Sequence, residues 1–394
     1  MDRHGRGTRV RIRKVAIIIL VQVVLVVAVL ELGLRLTVPH VPGNYRTGLL
    51  YNRHPTLGWH HIPGSQAWLK TPEFTAHSRI NSHGLRDIER PFVKPPNVQR
   101  VLVLGDSMAE ATQVPLEETF PRLLEQRLTD RTPARRIDVI NAGVVGYSTD
   151  QELLYVREHG VRYEPNLVVL TFFANDVVGN SRRLSAGLLP SKPFFELDGA
   201  EGLRLVGLTP RPVWVDSAET LTRIVLGRSV LASVVKTGVV DHVMGRVGSG
   251  PPVGPEVYLY ARAIRPDWDE AWRITELLIE QVRQTAEAAG AAFMVVNAPV
   301  PYVVYPEIWD RLLSVHGLRL ADWDLELPGR RLREISGRRG WHLLDPLPEF
   351  RRAAAGGARL HFAADGHWTA AGHQLVAELI AREIEERGLL SPRR

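Results

Sequence analysis

Polar residues that could carry nucleophilic chemistry follow short apolar runs of this sequence. Four such blocks supply, in order, a serine, a glycine-containing loop, an asparagine and an Asp–His pair: Gly105-Asp106-Ser107, Asn141-Ala142-Gly143-Val144-Val145-Gly146, Ala174-Asn175-Asp176 and Asp365-Gly366-His367. A serine hydroxyl becomes a good nucleophile when a neutral imidazole takes its proton and a carboxylate orients that imidazole. Backbone N–H groups and a side-chain amide stabilise the oxyanion of an attacked ester by roughly 2.7–4 kcal/mol each. These residue types therefore indicate ester cleavage or acyl transfer.

The elements that precede these blocks have the patterns of buried strands and covering helices. Apolar runs predict five strands, at Val101–Leu104, Ile137–Ile140, Leu167–Phe173, Ala291–Val296 and Trp341–Leu344. Amphipathic patterns predict helices over about 115–128, 149–159, 267–290 and 369–388. Unbroken apolar strands that alternate with helices predict a parallel sheet covered on both faces. Ligands bind beyond the carboxyl ends of such strands, so the four blocks should meet at one edge.

In this order, the four blocks resemble those of the SGNH (GDSL-type) hydrolases, over about residues 98–390. The resemblance implies an α/β fold, a three-layer α/β/α sandwich around a parallel, flavodoxin-like five-stranded sheet. It implies Ser107 as the nucleophile, with its own N–H as one oxyanion donor. Gly146 and Asn175 match the other two donors, His367 matches the general base, and Asp365 is the expected orienting acid.

Two positions depart from the family pattern. Phe173 stands where the third block usually has glycine, although the donor Asn175 is kept. Asp365 precedes His367 by two residues, whereas the family's aspartate commonly precedes its histidine by three, where this chain has Ala364. The Asp-x-His spacing resembles that of the branch that O-acetylates envelope polysaccharides.

Two other catalytic readings are weaker. An α/β-hydrolase elbow has the pattern G-x-S-x-G, but its fifth position here is Ala109. A zinc site could use His361, Asp365, His367 and His373, yet no second ligand cluster occurs elsewhere in the sequence. We therefore expect neither metal nor cofactor. The run Trp59-His60-His61 is interpreted as a surface patch or a docking contact.

Composition limits the class of protein. The 394 residues include no cysteine, which excludes disulfide scaffolds, thiol nucleophiles and lipoprotein anchors. The net charge is +6, but residues 1–14 carry +5 of it, with six basic residues against Asp2. A nearly neutral body with a basic tip is not a nucleic-acid-binding footprint, so we expect no nucleic-acid partner.

The basic tip precedes a membrane-length apolar segment. Residues 15–34 comprise 20 residues in which Gln22 and Glu31 are the polar ones, and about 20 residues are needed to cross a bilayer. The preceding arginines place the N-terminus in the cytoplasm. A cleaved secretory signal is the alternative, but its apolar region is usually shorter and no A-x-A-like site follows. We expect an uncleaved signal-anchor helix with the remaining chain outside the cytoplasm, periplasmic or extracellular.

These observations give a domain organisation. We expect a cytoplasmic tip at 1–14, a transmembrane helix at 15–34, a linker and docking segment at 35–97 and a catalytic domain at 98–394. Residues 35–65 are rich in proline and glycine, and Arg79–Arg86 should dock on the main domain. An insertion at about 180–265 includes a hairpin-like stretch, Phe194–Val206.

The predicted protein is a single-pass membrane serine esterase. The expected substrate is a short-chain, acetyl-type O-ester of an envelope glycan or a related molecule, and the lipid bilayer is the second partner, through residues 15–34. An O-acyltransferase with the same residues is the first alternative. A non-catalytic glycan- or partner-binding domain is the second.

Overall fold

The structure is a computed structural model, and it describes residues 3–37, 48–131, 136–185, 192–208, 212–236, 254–263 and 265–390. Contacts divide the chain into two compact units. Residues 1–49, 70–72 and 214–249 form the first unit, and the remaining residues form the second. The sheet and the candidate site belong to the second unit.

Five parallel strands form the central sheet of the second unit. They are β5 (Val98–Gly105), β6 (Arg136–Asn141), β7 (Leu167–Phe172), β10 (Ala292–Asn297) and β11 (His342–Leu344). Their order in the sheet is β6-β5-β7-β10-β11, the flavodoxin-like order. Strand β7 is buried along its whole length, as expected when helices cover both faces. The predicted fold class is confirmed.

Helices of the second unit connect and cover these strands. They are α2 (Ser107–Glu110), α3 (Phe120–Arg131), α4 (Thr149–Glu158), α5 (Asn175–Asn180), α8 (Pro266–Ala288), α9 (Pro301–Val304), α10 (Pro306–His316), α11 (Leu327–Arg339), α12 (Leu347–Ala355) and α13 (Ala370–Glu386). The helix predicted over 115–128 is divided: a 3₁₀ turn at Leu116–Glu118 precedes α3, because Thr119 is extended. The hairpin predicted over Phe194–Val206 forms as β8 (Phe194–Asp198) and β9 (Gly202–Val206).

The segment before the sheet has more structure than a linker. Strands β1 (Tyr51–His54) and β2 (Gly58–His61) form an antiparallel hairpin within the range expected to be extended. Strands β3 (Gln66–Lys70) and β4 (Thr75–Arg79) form another two-stranded sheet. Proline and glycine had suggested a linker, but the alternating buried residues of β3 and β4 give each strand one buried face.

Among the residues that the structure describes, the first unit contains the helices α1 (Arg3–Thr37), α6 (Val213–Arg228, which begins at its border) and α7 (Val230–Val235). Within α1, residues Arg13–Thr37 are long and apolar enough to cross a membrane, with a mean hydropathy of 3.0, and none of that window is buried. Helices α6 and α7 lie in the predicted insertion.

Candidate active site

Ser107 lies at the carboxyl end of strand β5, between β6 and β7 in the sheet. The strand ends at Gly105, and Ser107 opens the short helix α2. The Asp106 carboxylate accepts a hydrogen bond from the Met108 N–H at 2.9 Å and so caps this helix. A Cβ atom on Gly105 would lie 2.8 Å from the Ala109 Cβ atom, so glycine is needed where α2 turns back on the strand. The local sequence thus fixes Ser107 at the edge of the sheet.

His367 and Asp365 lie on a tight loop before α13. The loop is closed by the Phe362 N–H, which donates to the His367 carbonyl at 2.9 Å. Its turn uses Gly366 at a φ of 81°, a conformation that favours glycine. His367 Nε2 lies 2.8 Å from Ser107 Oγ, and His367 Nδ1 lies 2.6 Å from Asp365 Oδ1. The three residues are therefore joined in one hydrogen-bonded series, although 260 residues separate Ser107 from His367.

The electrostatics of this series favour a basic imidazole. Burial by itself would lower the pKa of His367, but the hydrogen bond and the charge of Asp365 outweigh it and raise that pKa above its ordinary value. The carboxylate on Nδ1 leaves Nε2 facing the serine hydroxyl. Such an imidazole can take a proton from Ser107 and remain stabilised once it is charged.

A carboxylate from the lead-in segment holds the Asp365 loop. Glu73 accepts hydrogen bonds from the Ala364 N–H at 3.0 Å and from the Asp365 N–H at 2.8 Å. A cavity of about 580 Å³ adjoins this loop and is lined by Glu73, Tyr305, Ile308 and Phe362, among others. Glu73 was not identified from the sequence, because its partners lie 291 and 292 residues away and no local pattern marks such a pairing.

The loop after β6 carries Gly146 and is bound tightly to α2. A Cβ atom on Gly143 would lie 2.4 Å from the Glu110 backbone nitrogen, so this loop and α2 approach closely. The Glu110 carboxylate accepts the Val145 N–H at 2.6 Å. Gly146 has a φ of 73°, and its N–H has no hydrogen-bond partner within the described part of the chain. An N–H group left unpaired in this way is available to a ligand.

Trp59 contacts the same loop through its indole ring. Its indole N–H donates to the Val145 carbonyl at 2.9 Å, and its ring lies against Gly146. That carbonyl and the Gly146 N–H belong to one planar peptide group. His61, two residues later, is buried and faces Glu110, with 3.0 Å between Nε2 and Oε1. The docking interpretation of Trp59-His60-His61 fits these contacts, whereas His61 does not belong to a surface patch.

Asn175 opens helix α5 after β7. Its Nδ2 atom lies 3.4 Å from Asp106 Oδ2, next to Ser107 in the chain. Its other amide atom, Oδ1, is buried and has no hydrogen-bond partner among the described residues. The structure thus places Asn175 beside the turn that carries Ser107.

Buried carboxyl groups lie behind this edge of the sheet. Burial raises the pKa of Glu152 and of Asp176 well above the ordinary values, and the neighbouring carboxyl of Asp106 raises both further. Lys192 Nζ lies 2.8 Å from Asp150 Oδ1, and both side chains are fully buried. The ammonium charge of Lys192 acts on the pKa values of Glu152 and Asp176 in the direction opposite to burial.

The histidines considered as zinc ligands make other contacts. His361 Nε2 lies 3.0 Å from the Pro299 carbonyl, and His373 Nδ1 accepts the Phe120 N–H at 3.3 Å. Among the residues that the structure describes, no group of three or more His, Asp or Glu side chains could hold a metal ion.

The sequence model of the GDSL-like lipase/acylhydrolase family matches residues 103–375, which is more than half of the chain. The chain belongs to this family. Its members are ester-hydrolysing enzymes of the SGNH type, so the predicted resemblance is confirmed. The match begins inside β5 and ends inside α13, so it spans Ser107, Gly146, Asn175, Asp365 and His367.

The individual proteins that resemble this chain either match a short part of it or have low sequence identity. An arylesterase from Vibrio mimicus is 32% identical over 78 residues, which cover 20% of this chain and 38% of the relative. The acetylxylan esterase of Geobacillus stearothermophilus is 13% identical with a TM-score of 0.40, covering 75% of this chain and 96% of that one. A lipase/acylhydrolase from Enterococcus faecalis is 14% identical with a TM-score of 0.35, covering 75% and 99%.

Proposed function

We propose that this protein is a serine esterase that uses Ser107, His367 and Asp365 through an acyl-enzyme intermediate. The observation that carries the proposal is the hydrogen-bonded series from Ser107 Oγ through the imidazole to the Asp365 carboxylate. His367 Nε2 takes the hydroxyl proton as Oγ attacks the acyl carbonyl, and Asp365 stabilises the imidazolium. The imidazolium then returns the proton to the leaving alcohol. In a second round water attacks, and the acid is released.

The oxyanion of each tetrahedral intermediate accepts hydrogen bonds from the N–H groups of Ser107 and Gly146 and from the Asn175 amide. The unpaired Gly146 N–H and the position of Asn175 beside Asp106 support this assignment. Trp59 and Glu110 hold the two peptide groups that flank Val145 and thereby orient the Gly146 N–H. Each such donor is worth roughly 2.7–4 kcal/mol in the transition state.

The proposed substrate is a short-chain O-ester, such as an acetyl ester, of an envelope glycan or a related molecule. The cavity beside the Asp365 loop would take the alcohol portion, since aromatic rings and a few polar groups line it. The second candidate is O-acyl transfer, in which a sugar hydroxyl replaces water. The Asp-x-His spacing of Asp365 and His367 favours it.

The proposed location follows from α1. Its apolar residues would anchor the chain in a bilayer, and the basic residues before them would keep the N-terminus in the cytoplasm. Residues 98–394 would then form an extracytoplasmic catalytic domain, with 35–97 as its lead-in and about 180–265 as an insertion.

A fluorophosphonate probe tests the nucleophile on the full-length protein in detergent. Wild type should be labelled and should hydrolyse a short-chain aryl ester, while Ser107→Ala should lose both properties. His367→Ala should lose most of the labelling rate. Ser314→Ala, an exposed serine on α10, is the matched control and should behave as wild type. A cooperatively folded but unlabelled wild type would refute the assignment and favour a binding domain without turnover.

The same preparation separates the two candidate reactions. Free acid from an acetylated glycan indicates an esterase. An acetyl group recovered on an added acceptor glycan indicates a transferase.

A further inference from the structure

Helix α6 turns its apolar side outward. Trp214, Leu221 and Val225 are 72%, 62% and 43% exposed. Their spacing of seven and four residues places them on one face of the helix. Most exposed hydrophobic residues of folded proteins are scattered singly, so three that share one face of a helix point to a partner.

The other side of α6 carries Arg223 and Gly227 and packs on residues 48 and 49, which follow α1 in the chain. Arg223 Nη1 donates to the Gly48 carbonyl at 3.3 Å, and its Nη2 donates to Thr220 Oγ1 at 3.2 Å. A Cβ atom on Gly227 would lie 2.7 Å from Leu49 Cγ, so the helix lies close against this chain. A helix in water usually buries its apolar face, whereas α6 leaves one apolar face exposed and contacts the chain through its other side.

Helix α7 connects α6 to α1 at a fixed position along α1. The Glu31 carboxylate of α1 accepts hydrogen bonds from Ser229 Oγ at 2.8 Å and from the N–H groups of Val230 and Leu231 at 3.0 Å. Arg35 Nη2 donates to the Arg228 carbonyl at 2.7 Å. The junction of α6 and α7 is thus held by two charged side chains one helical turn apart on α1.

The depth of this junction in a bilayer follows from helix geometry. If residues 15–34 cross the bilayer, Glu31 lies three residues before the outer end, about 4.5 Å inside it at 1.5 Å per residue. This is the boundary between acyl chains and headgroups, where charged side chains and tryptophan are tolerated.

We propose that the face formed by Trp214, Leu221 and Val225 lies on the outer surface of the bilayer and buries its side chains at the headgroup–acyl boundary. The proposal rests on the anchoring role proposed for α1. Lipid, rather than a second copy of the chain, is the occupant, because the junction of α6 and α7 is bound to a helix whose own apolar window is entirely exposed and needs lipid around it. Amphipathic helices with Trp and Leu on the apolar face and arginine on the polar side bind membranes in this way.

The absence of cysteine makes the test direct, since each introduced cysteine is the single labelling site in the chain. Leu221→Cys and Val225→Cys carry an environment-sensitive fluorophore in full-length protein reconstituted into phosphatidylcholine–phosphatidylglycerol vesicles. Glu219→Cys is the matched control, exposed on the same helix but roughly 160° around it from Leu221. Val24→Cys, in the middle of the apolar window, reports on anchoring alone.

We expect lipid-borne nitroxide to quench labels at 221 and 225 several-fold more than the label at 219, and aqueous iodide to show the reverse order. Equal iodide quenching at 219, 221 and 225 would overturn the proposal. Protection of 221 from both quenchers, with disulfide-linked dimers of Leu221→Cys, would replace lipid by a second copy. Lack of lipid quenching at 24 would instead refute the anchoring on which the proposal rests.

Discussion

Replacing Trp59 by phenylalanine removes one hydrogen bond and keeps an aromatic ring against Gly146. The indole N–H lies 2.9 Å from the Val145 oxygen, and that oxygen shares a peptide plane with the proposed Gly146 donor. A donor on the carbonyl both fixes this plane and polarises the N–H at its other end. Glu110 still holds the preceding peptide through the Val145 N–H in the variant. The change therefore loosens the oxyanion donor without deleting it.

Two reference values set the expected change in kcat of Trp59→Phe. Deleting an oxyanion donor outright costs about 10²–10³ in kcat. A single neutral hydrogen bond is worth about 0.5–1.5 kcal/mol, which corresponds to about a 2- to 13-fold change in rate. We expect Trp59→Phe to lower kcat within this smaller range and to leave KM for a small aryl ester unchanged, because the donor acts on the oxyanion of the transition state.

The assay compares kcat and KM for wild type, Trp59→Phe and Trp68→Phe. Trp68 is a matched control, since it lies in the same lead-in segment, is half exposed and stacks on His77. Trp68→Phe should leave both constants unchanged. A Trp59→Phe enzyme with wild-type kcat, or with a change confined to KM, would refute the role given to this peptide.

Three further predictions concern charge. Asp365→Asn should lower kcat by about 10³- to 10⁴-fold with little change in melting temperature, because the imidazole loses its orienting carboxylate; a loss below tenfold would argue against that role. The proposed base is a neutral imidazole, and the pKa of His367 is raised, so kcat/KM should fall with decreasing pH through a midpoint above 6.5. Glu73 contacts the Asp365 loop and not the imidazole, so Glu73→Gln should move that midpoint less than Asp365→Asn does. Lys192→Met should cost about 3–5 kcal/mol of unfolding free energy, because the buried Asp150 would lose its partner; denaturant titration that shows no change would contradict this.

Stability should also depend on His373. Burial lowers the pKa of this ring to about 3 in the folded protein. In the unfolded chain the His373 ring has its ordinary pKa of about 6.5 and takes up a proton near that pH. The contribution of the neutral, buried ring to the free energy of unfolding is therefore complete above pH 6.5. It is lost as the pH falls below 6.5, by about 1.4 kcal/mol per pH unit. Denaturant titrations at descending pH should show this slope, and His373→Gln should reduce it.

Local sequence pattern was enough to predict the five strands of the central sheet and the loops that follow them, but not strands β1 to β4. Each block after a strand is short, and the apolar run before it sets the end of the strand, so the sequence alone places Ser107 and Asn175 on one edge of the sheet. The contact between Ser107 and His367 followed from the family resemblance together with this edge rule. The pairing of His367 with Asp365 is local and needed only their spacing of two residues.

The contacts made by the lead-in segment could not be predicted in this way. Glu73, Trp59 and His61 act on loops that are far away in the chain, and neither periodicity nor turn chemistry encodes such partners. Glu110 gave one usable signal, a carboxylate three residues after Ser107 that follows the apolar pair Met108 and Ala109. The outward apolar face of α6 was also missed, since the same heptad spacing usually marks a buried face.

Because of the lead-in segment, the start of the family match does not mark the start of the part of the chain that must be kept together. The match begins at residue 103, yet the buried guanidinium of Arg86 donates to the carbonyls of Glu110, Ala111 and Val114. A catalytic core transplanted without residues 50–97 would retain every signature residue and still lack the groups that fix its loops. Recombination between such enzymes should therefore succeed at crossovers before residue 50 and fail at crossovers next to β5, where sequence similarity begins.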